Sequence, residues 1–111
     1  MILKVLKPHY WDRWKADDIR NQSVANILVD WLYNSGSQGI KIPQRLLSVA
    51  DDGIVGPETL GAVNAADQKK FFDSVLSARE AYYRDLVIRK PSQRKFLKGW
   101  MNRLRKFKFI K

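Results

Sequence analysis

Apolar residues recur at helical spacing along this sequence, and that periodicity constrains its fold more than any other feature. In the segment 22–34, Val24, Leu28, Trp31 and Leu32 belong to an apolar surface that covers well over half of the helix circumference. No segment alternates polar and apolar residues as a half-buried strand does. We therefore predict an all-α fold, a compact bundle of about five to six helices. The predicted helices cover about residues 8–15, 22–34, 37–48, 57–64, 67–88 and 92–104.

The size and residue types of the chain exclude several function classes. Its 111 residues, 45% of them hydrophobic, suffice for one compact unit with its own core. It has no cysteine and a single histidine, His9, which excludes thiol catalysis and histidine metal clusters and argues against a Ser-His-Asp triad. No apolar run reaches the roughly 18 residues of a membrane span. The N-terminus lacks the features of a secretory signal, so we expect synthesis in the cytoplasm without one. From the lack of cysteines and the single histidine we also expect no metal or cofactor.

The positive charge of the chain is concentrated at its C-terminal end. Residues 1–88 contain 11 basic and 11 acidic residues, whereas residues 89–111 contain ten basic and no acidic ones, which accounts for the net charge of +10. Such a patch indicates an anionic partner, either nucleic acid, a membrane surface or an acidic wall polymer, or else a solvated face. The residues predicted to meet that partner are Arg103, Arg105, Lys106 and Lys108.

The helix predicted at 22–34 carries a narrow polar stripe on an otherwise apolar surface. Ser23, Asn26, Asp30 and Asn34 fall within about 80° of one another at helical spacing. One interpretation is the floor of a substrate groove, because polar groups on a central helix need partners. The other is that the stripe is the solvent side of an amphipathic helix, which spacing alone favours.

A second polar motif runs from Asp51 to Thr59. Asp52 and Gly53 predict a tight turn, and Pro57 after Gly56 predicts a helix start. The motif is therefore either a rigid structural corner or a binding loop, and its residue pattern favours the corner. Neither glutamate of the chain, Glu58 or Glu80, has a plausible partner carboxylate, so no residue is predicted to be catalytic.

Several blocks of this sequence resemble a known family. Tyr-Trp-Asp-Arg-Trp-Lys-Ala-Asp at 10–17, followed by Asn26-x3-Asp30-Trp31-x2-Asn34-x-Gly36, resembles the second half of glycoside hydrolase family 108 muramidases. Asp52-Gly53-x2-Gly56-Pro57-x-Thr59 and the block from Phe96 to Leu104 resemble the predicted peptidoglycan-binding domain fused behind it. The resemblance covers about residues 9–107. It implies a lysozyme-like fold and a bacterial or phage-encoded protein that acts at the cell envelope.

The resemblance also implies a division of the chain and a set of ligand contacts. Residues 1–50 would be the remnant of the muramidase domain and residues 51–111 the peptidoglycan-binding region, packed as one compact unit. The family's catalytic Glu-Gly-Gly segment is absent, so we expect peptidoglycan binding without catalysis. The substrate-binding residues would be Asp30, Asn34, Asn26, Tyr33 and Trp11, and those of the binding turn Asp52, Gly53, Gly56, Pro57 and Thr59.

Two further hypotheses concern partners. A basic helical module could bind nucleic acid, with Phe96, Trp100, Phe107 and Phe109 as stacking residues, although their spacing is more typical of core positions. Without the family's N-terminal segment, apolar surface from Trp11, Trp14, Ile27 or Trp31 would be bare. We therefore expect a homodimer that buries this face, unless Met1–Leu6 folds back over it.

Overall fold

The computed structural model describes residues 8–109, which contain six α-helices and two short 3-10 helices and no strand. This architecture confirms the all-α prediction. No described helix combines the length and apolar character that crossing a membrane requires. The α-helices are α1 (Pro8–Arg13), α2 (Gln22–Ser35), α3 (Gln38–Leu46), α4 (Pro57–Ala65), α5 (Gln68–Arg89) and α6 (Arg94–Arg105), with 3-10 turns at Ala16–Asp18 and Pro91–Gln93.

Helix α2 forms the centre of the molecule. The side chain of Asn21 caps its start by accepting a hydrogen bond from the backbone N–H of Val24 at 3.1 Å. Gly36, with φ of 65°, ends it in a conformation that disfavours side chains with a Cβ. Nine of its 14 residues are buried, including Ile27 and Trp31. This helix therefore supplies the surface against which the other helices pack.

Helix α3 packs against the end of α2 at very short range. A Cβ on Gly39 would lie only 2.5 Å from the backbone nitrogen of Leu32, so no larger residue fits there. Pro43 lies within α3 and is buried.

The long helix α5 and the C-terminal segment complete the core. Asp67 caps α5 by accepting from the backbone N–H of Lys70 at 3.0 Å. After α6 the chain returns to the core, where the Phe109 ring contacts the Phe72 ring edge-on at a centroid distance of 5.6 Å. One hydrophobic cluster thus contains residues from both 1–50 and 51–111.

The expected bare apolar face is not present. Trp11 is 2% exposed, and Trp14, Ile27 and Trp31 are completely buried. The premise of the dimer hypothesis is therefore wrong, because these side chains belong to the core of the single chain. The dimer itself stays a prediction, and the proposed cover by Met1–Leu6 lies outside the described residues.

Candidate functional site

The polar stripe of α2 faces the C-terminal segment of the protein. Ser23 and Asp30 are buried, Asn26 is half-buried and Asn34 is exposed. Arg103 of α6 contacts the middle of the stripe, and residues 106–108 lie beside its N-terminal end. The interpretation of the stripe as the solvent side of an amphipathic helix is therefore wrong, since its central carboxylate is enclosed by the protein.

Asp30 lies between two arginines from different helices. Arg103 donates from Nε to Oδ2 at 2.9 Å and from Nη2 to Oδ1, and Arg79 donates from Nη2 to Oδ2 at 3.2 Å. Asp30 is 2% exposed and Arg79 is completely buried, whereas the Arg103 side chain is 42% exposed. The hydrogen bond to Asp30 raises the pKa of Arg103 above its ordinary value. One carboxylate is thus shared by two cations, which leaves a net positive charge at the surface.

Arg79 connects Asp30 to the surface through a tyrosine. Its Nη2 donates to the Tyr83 hydroxyl at 2.8 Å, and that hydroxyl donates to Oδ1 of Asn34 at 2.8 Å. The rings of Trp31, Tyr83 and Phe107 lie 5.6 to 5.7 Å from the guanidinium carbon, so cation–π contacts accompany the ion pair. We call this group the Asp30 cluster; it consists of Asp30, Asn34, Arg79, Tyr83 and Arg103.

Aromatic rings surround the exposed end of the Asp30 cluster. Tyr33 is 40% exposed, and its ring contacts the Tyr10 ring edge-on and lies 6.0 Å from the guanidinium carbon of Arg103. Trp100, one turn before Arg103 on α6, stacks on Tyr83 at a centroid distance of 4.9 Å. We call this surface the aromatic face; it consists of Tyr10, Tyr33, Asn34, Trp100 and Arg103.

A groove of about 650 Å³ lies at the other end of α2. One wall is the start of α2 and the residues before it, and the other is the segment after α6. We call it the basic groove; it is lined by Arg20, Asn21, Gln22, Ser23, Asn26, Lys106, Phe107 and Lys108. Three predicted site residues line this groove: Asn26 lies near Lys106 and Lys108, although about eighty positions separate it from them in the sequence.

Other predicted site residues lie away from both surfaces or inside the protein. Trp11 is buried, and its indole N–H donates to Oδ1 of Asp17 at 3.0 Å, so in this structure it offers no surface to a ligand. Asp30 is equally enclosed. Arg105 is exposed and donates to Oδ1 of Asn102 at 3.3 Å, beside a separate shallow pocket.

The Asp52–Thr59 motif forms a corner around Gln44, a residue that the sequence did not single out. The Gln44 amide nitrogen donates to Oδ1 of Asp52 at 3.2 Å, the Ile54 carbonyl at 2.9 Å and Oγ1 of Thr59 at 3.1 Å. Its oxygen accepts from the Gly53 N–H at 3.0 Å, where φ is 75°. Gly56 and Pro57 begin α4 directly afterwards. These contacts, which we call the Gln44 corner, give the motif a structural role.

The groups on the aromatic face and in the basic groove can bind ligands. No group of three or more histidines, cysteines or carboxylates there could hold a metal ion. The two glutamates are exposed, and Glu80 pairs with Arg84 at 2.9 Å. Aromatic rings, amides and guanidinium groups at a surface recognise polar and anionic ligands through stacking and hydrogen bonds.

Comparison with known proteins points to one family. No curated protein sequence matches this chain. The solved structure of Brucella abortus SagA matches it with a TM-score of 0.77 and 26% sequence identity, over 88% of this chain and 54% of SagA. The chain thus spans about half the length of that relative. A family model described as "Predicted Peptidoglycan domain" matches residues 38–105, a range that begins in α3. Because this match covers more than half of the sequence, the protein belongs to the predicted peptidoglycan domain family.

Proposed function

We propose that this protein binds peptidoglycan and that the aromatic face contacts the glycan. The observation that carries the proposal is the convergence of Tyr33 and Asn34 from α2 with Arg103 from α6 on one surface. These three residues were predicted from sequence as ligand contacts, and the family match supports peptidoglycan as the ligand.

The chemistry of the aromatic face suits an amino sugar polymer. Exposed rings such as Tyr33 pack against the apolar C–H surfaces of sugars, and Arg and Tyr side chains dominate binding energy at many interfaces. Asn34 and Arg103 supply polar groups for hydroxyl, acetamido and carboxylate oxygens. Because the Asp30 cluster holds Arg103 in place, little side-chain entropy is lost when a ligand binds it.

We further propose that the chain is part of a lysozyme-like muramidase family, that it acts at the cell envelope, and that it binds glycan without cleaving it. The resemblance of the blocks at 10–17 and 26–36 to such muramidases supports the first statement. For the last, the carboxylate beneath the aromatic face is Asp30, whose two oxygens are occupied by Arg79 and Arg103 and which is 2% exposed. In this arrangement it cannot reach a glycosidic oxygen.

Co-sedimentation with purified, insoluble peptidoglycan tests the proposal. Tyr33→Ala should lower the affinity about tenfold, since it removes the ring that is 40% exposed on this face. Arg103→Gln should lower it by a similar factor. Leu46→Ala is the matched control because Leu46 is 42% exposed and lies on α3, away from the face. Wild-type affinity in the Tyr33 and Arg103 variants, or equal losses in all three, would contradict the assignment of this face. The sacculi incubated with the wild type should release no soluble fragments.

The structure favours peptidoglycan over nucleic acid. Two of the four rings considered for base stacking pack against the core, Phe107 beside Arg79 and Phe109 on Phe72, and Tyr83 covers one side of Trp100. Phe96 is 45% exposed. Single-strand binding needs several accessible rings along a track, so we expect no retention on oligonucleotides at physiological salt.

A further inference from the structure

The basic groove has the charge of an anion-binding site. Arg20, Lys106 and Lys108 line it together, and its lining includes no acidic residue. None of the three has an ion-pair partner within residues 8–109, whereas Arg79 and Arg103 are both paired with Asp30. Their positive charge is therefore available to a ligand.

The backbone adds to this charge. The groove lies at the N-terminal end of α2, a helix of 14 residues whose first turn carries no acidic side chain. The partial positive charge of the helix dipole at that end consequently has no carboxylate against it in the first turn. Side chains and helix dipole thus attract the same kind of group.

The size and remaining lining of the groove indicate a small peptide-like ligand. A volume of about 650 Å³ lies within the roughly 300–1,000 Å³ range typical of small-ligand sites. Among the amide side chains of the lining, Gln22 donates to Oδ1 of Asn26 at 2.8 Å, and Oδ1 of Asn21 accepts from the Val24 N–H. The amide N–H groups of Asn21 and Asn26 can donate to the carbonyl and carboxylate oxygens of a peptide.

We infer that the basic groove is a second binding site, distinct from the aromatic face, and that it holds the carboxylates of a short anionic peptide. The inference rests on the proposed function in one respect: peptidoglycan supplies such peptides as the stems that branch from its glycan. Gln22 in the groove and Asn34 on the aromatic face are separated along α2 by about 18 Å, at 1.5 Å per residue. The two surfaces could therefore hold glycan and stem peptide from the same polymer.

Calorimetric titration of the full chain with a synthetic stem tetrapeptide tests this inference. The free-acid peptide should bind at low ionic strength, and the same peptide with amidated carboxyl groups at least tenfold more weakly. Lys106→Gln/Lys108→Gln should also weaken binding of the free acid at least tenfold. Lys70→Gln/Lys90→Gln is the charge-matched control, since both lysines are exposed and lie outside the groove; its affinity should equal that of the wild type.

The outcomes separate this inference from the proposed function. A wild type that sediments with peptidoglycan but ignores the tetrapeptide contradicts the groove assignment and leaves the aromatic face standing. Equal affinity for acid and amidated peptides, or equal losses in both double variants, also overturns it. Displacement of the peptide by equimolar inorganic phosphate would reveal a general anion site, and tighter binding of an oligonucleotide at the groove would reveal a nucleic-acid site. Either result contradicts the inference.

Discussion

The Asp30 cluster and the Gln44 corner both bury a polar side chain, yet they present opposite surfaces to solvent. Gln44 is completely buried, and its amide nitrogen and oxygen are both used in hydrogen bonds. Gln44 itself carries no charge, although one of its acceptors is the exposed carboxylate of Asp52. Asp30 is also buried, but its two arginine partners outnumber it, and one of them, Arg103, is 42% exposed.

This difference separates a structural polar core from one that supports a site. The Gln44 corner directs its hydrogen bonds inward and fixes the loop that begins α4. The Asp30 cluster fixes Arg103 at the surface, so that its positively charged guanidinium group forms part of the aromatic face. Burial of a polar residue alone therefore does not indicate ligand binding. An uncompensated charge that is held at the surface by a buried partner is the more informative sign.

The largest effect should come from removing the charge at the centre of the Asp30 cluster. Asp30→Ala leaves Arg79 completely buried without a counter-charge, which should lower the free energy of unfolding by about 3–5 kcal/mol. Urea denaturation followed by circular dichroism measures this loss. A cost below about 1 kcal/mol would show that the buried ion pair is not formed in solution. The Asp30 cluster would then not differ from the Gln44 corner in the way described.

A double variant separates loss of the ion pair from loss of packing. Asp30→Leu with Arg79→Met replaces both buried charges by apolar groups of similar volume, and such replacements are often neutral or stabilising. We expect this protein to recover most of the stability lost in Asp30→Ala. Its Arg103 no longer has a fixed partner, so peptidoglycan binding should stay weak although the fold is restored.

A substitution in the Gln44 corner should lower the free energy of unfolding less, and the loss should depend little on salt. Gln44→Ala leaves the Ile54 carbonyl and the Gly53 N–H without their side-chain partner, which should cost about 2 kcal/mol. The loss should depend little on salt because Gln44 is neutral and the one carboxylate that it contacts, Asp52, is exposed to solvent. The peptidoglycan affinity of the folded protein should not change. A clear loss of affinity at full folding would instead give the Asp52–Thr59 loop a binding role.

The sequence predicted the helices well because their signals are local. The start at Asp67, the stop at Gly36 and the apolar periodicity of α2 and α5 each depend on residues within a few positions. All of these elements appear in the structure within a few residues of the predicted bounds. The bare apolar face was predicted wrongly because spacing shows which residues are apolar but not what covers them.

The candidate site could be predicted only in part, because its contacts join distant segments. The stripe on α2 and the basic C-terminal end were both recognised, but their pairing through Asp30 and Arg103 spans 73 residues. Arg79 was missed altogether. A signal existed, since Arg79 lies four residues after Val75 and four before Tyr83 on the buried side of α5. Gln44 offered a weaker signal, since Ile40 four residues before it is buried but Ser48 four residues after it is exposed.

The smallest effect should come from the ion pair at the rim of the Gln44 corner. Arg45 donates from Nε to Oδ2 of Asp51 at 2.7 Å, and both side chains are about half exposed. That hydrogen bond lowers the pKa of Asp51 below its ordinary value of 3.8. A carboxyl whose pKa is lower in the folded state stabilises the fold above the unfolded-state pKa, and loses this contribution as pH falls through the folded-state value.

Asp51→Asn should therefore reduce the melting temperature slightly at neutral pH, because solvent screens an exposed pair. The reduction should be smaller than that of Asp30→Ala or Gln44→Ala. The difference from the wild type should persist down to about pH 4 and disappear in more acidic solution, as the wild-type carboxylate becomes protonated. Thermal melts of both proteins across this range, in low and high salt, provide the measurement. A difference that is as large as that of Asp30→Ala, or that grows on acidification, would mean that the corner relies on charge as the Asp30 cluster does.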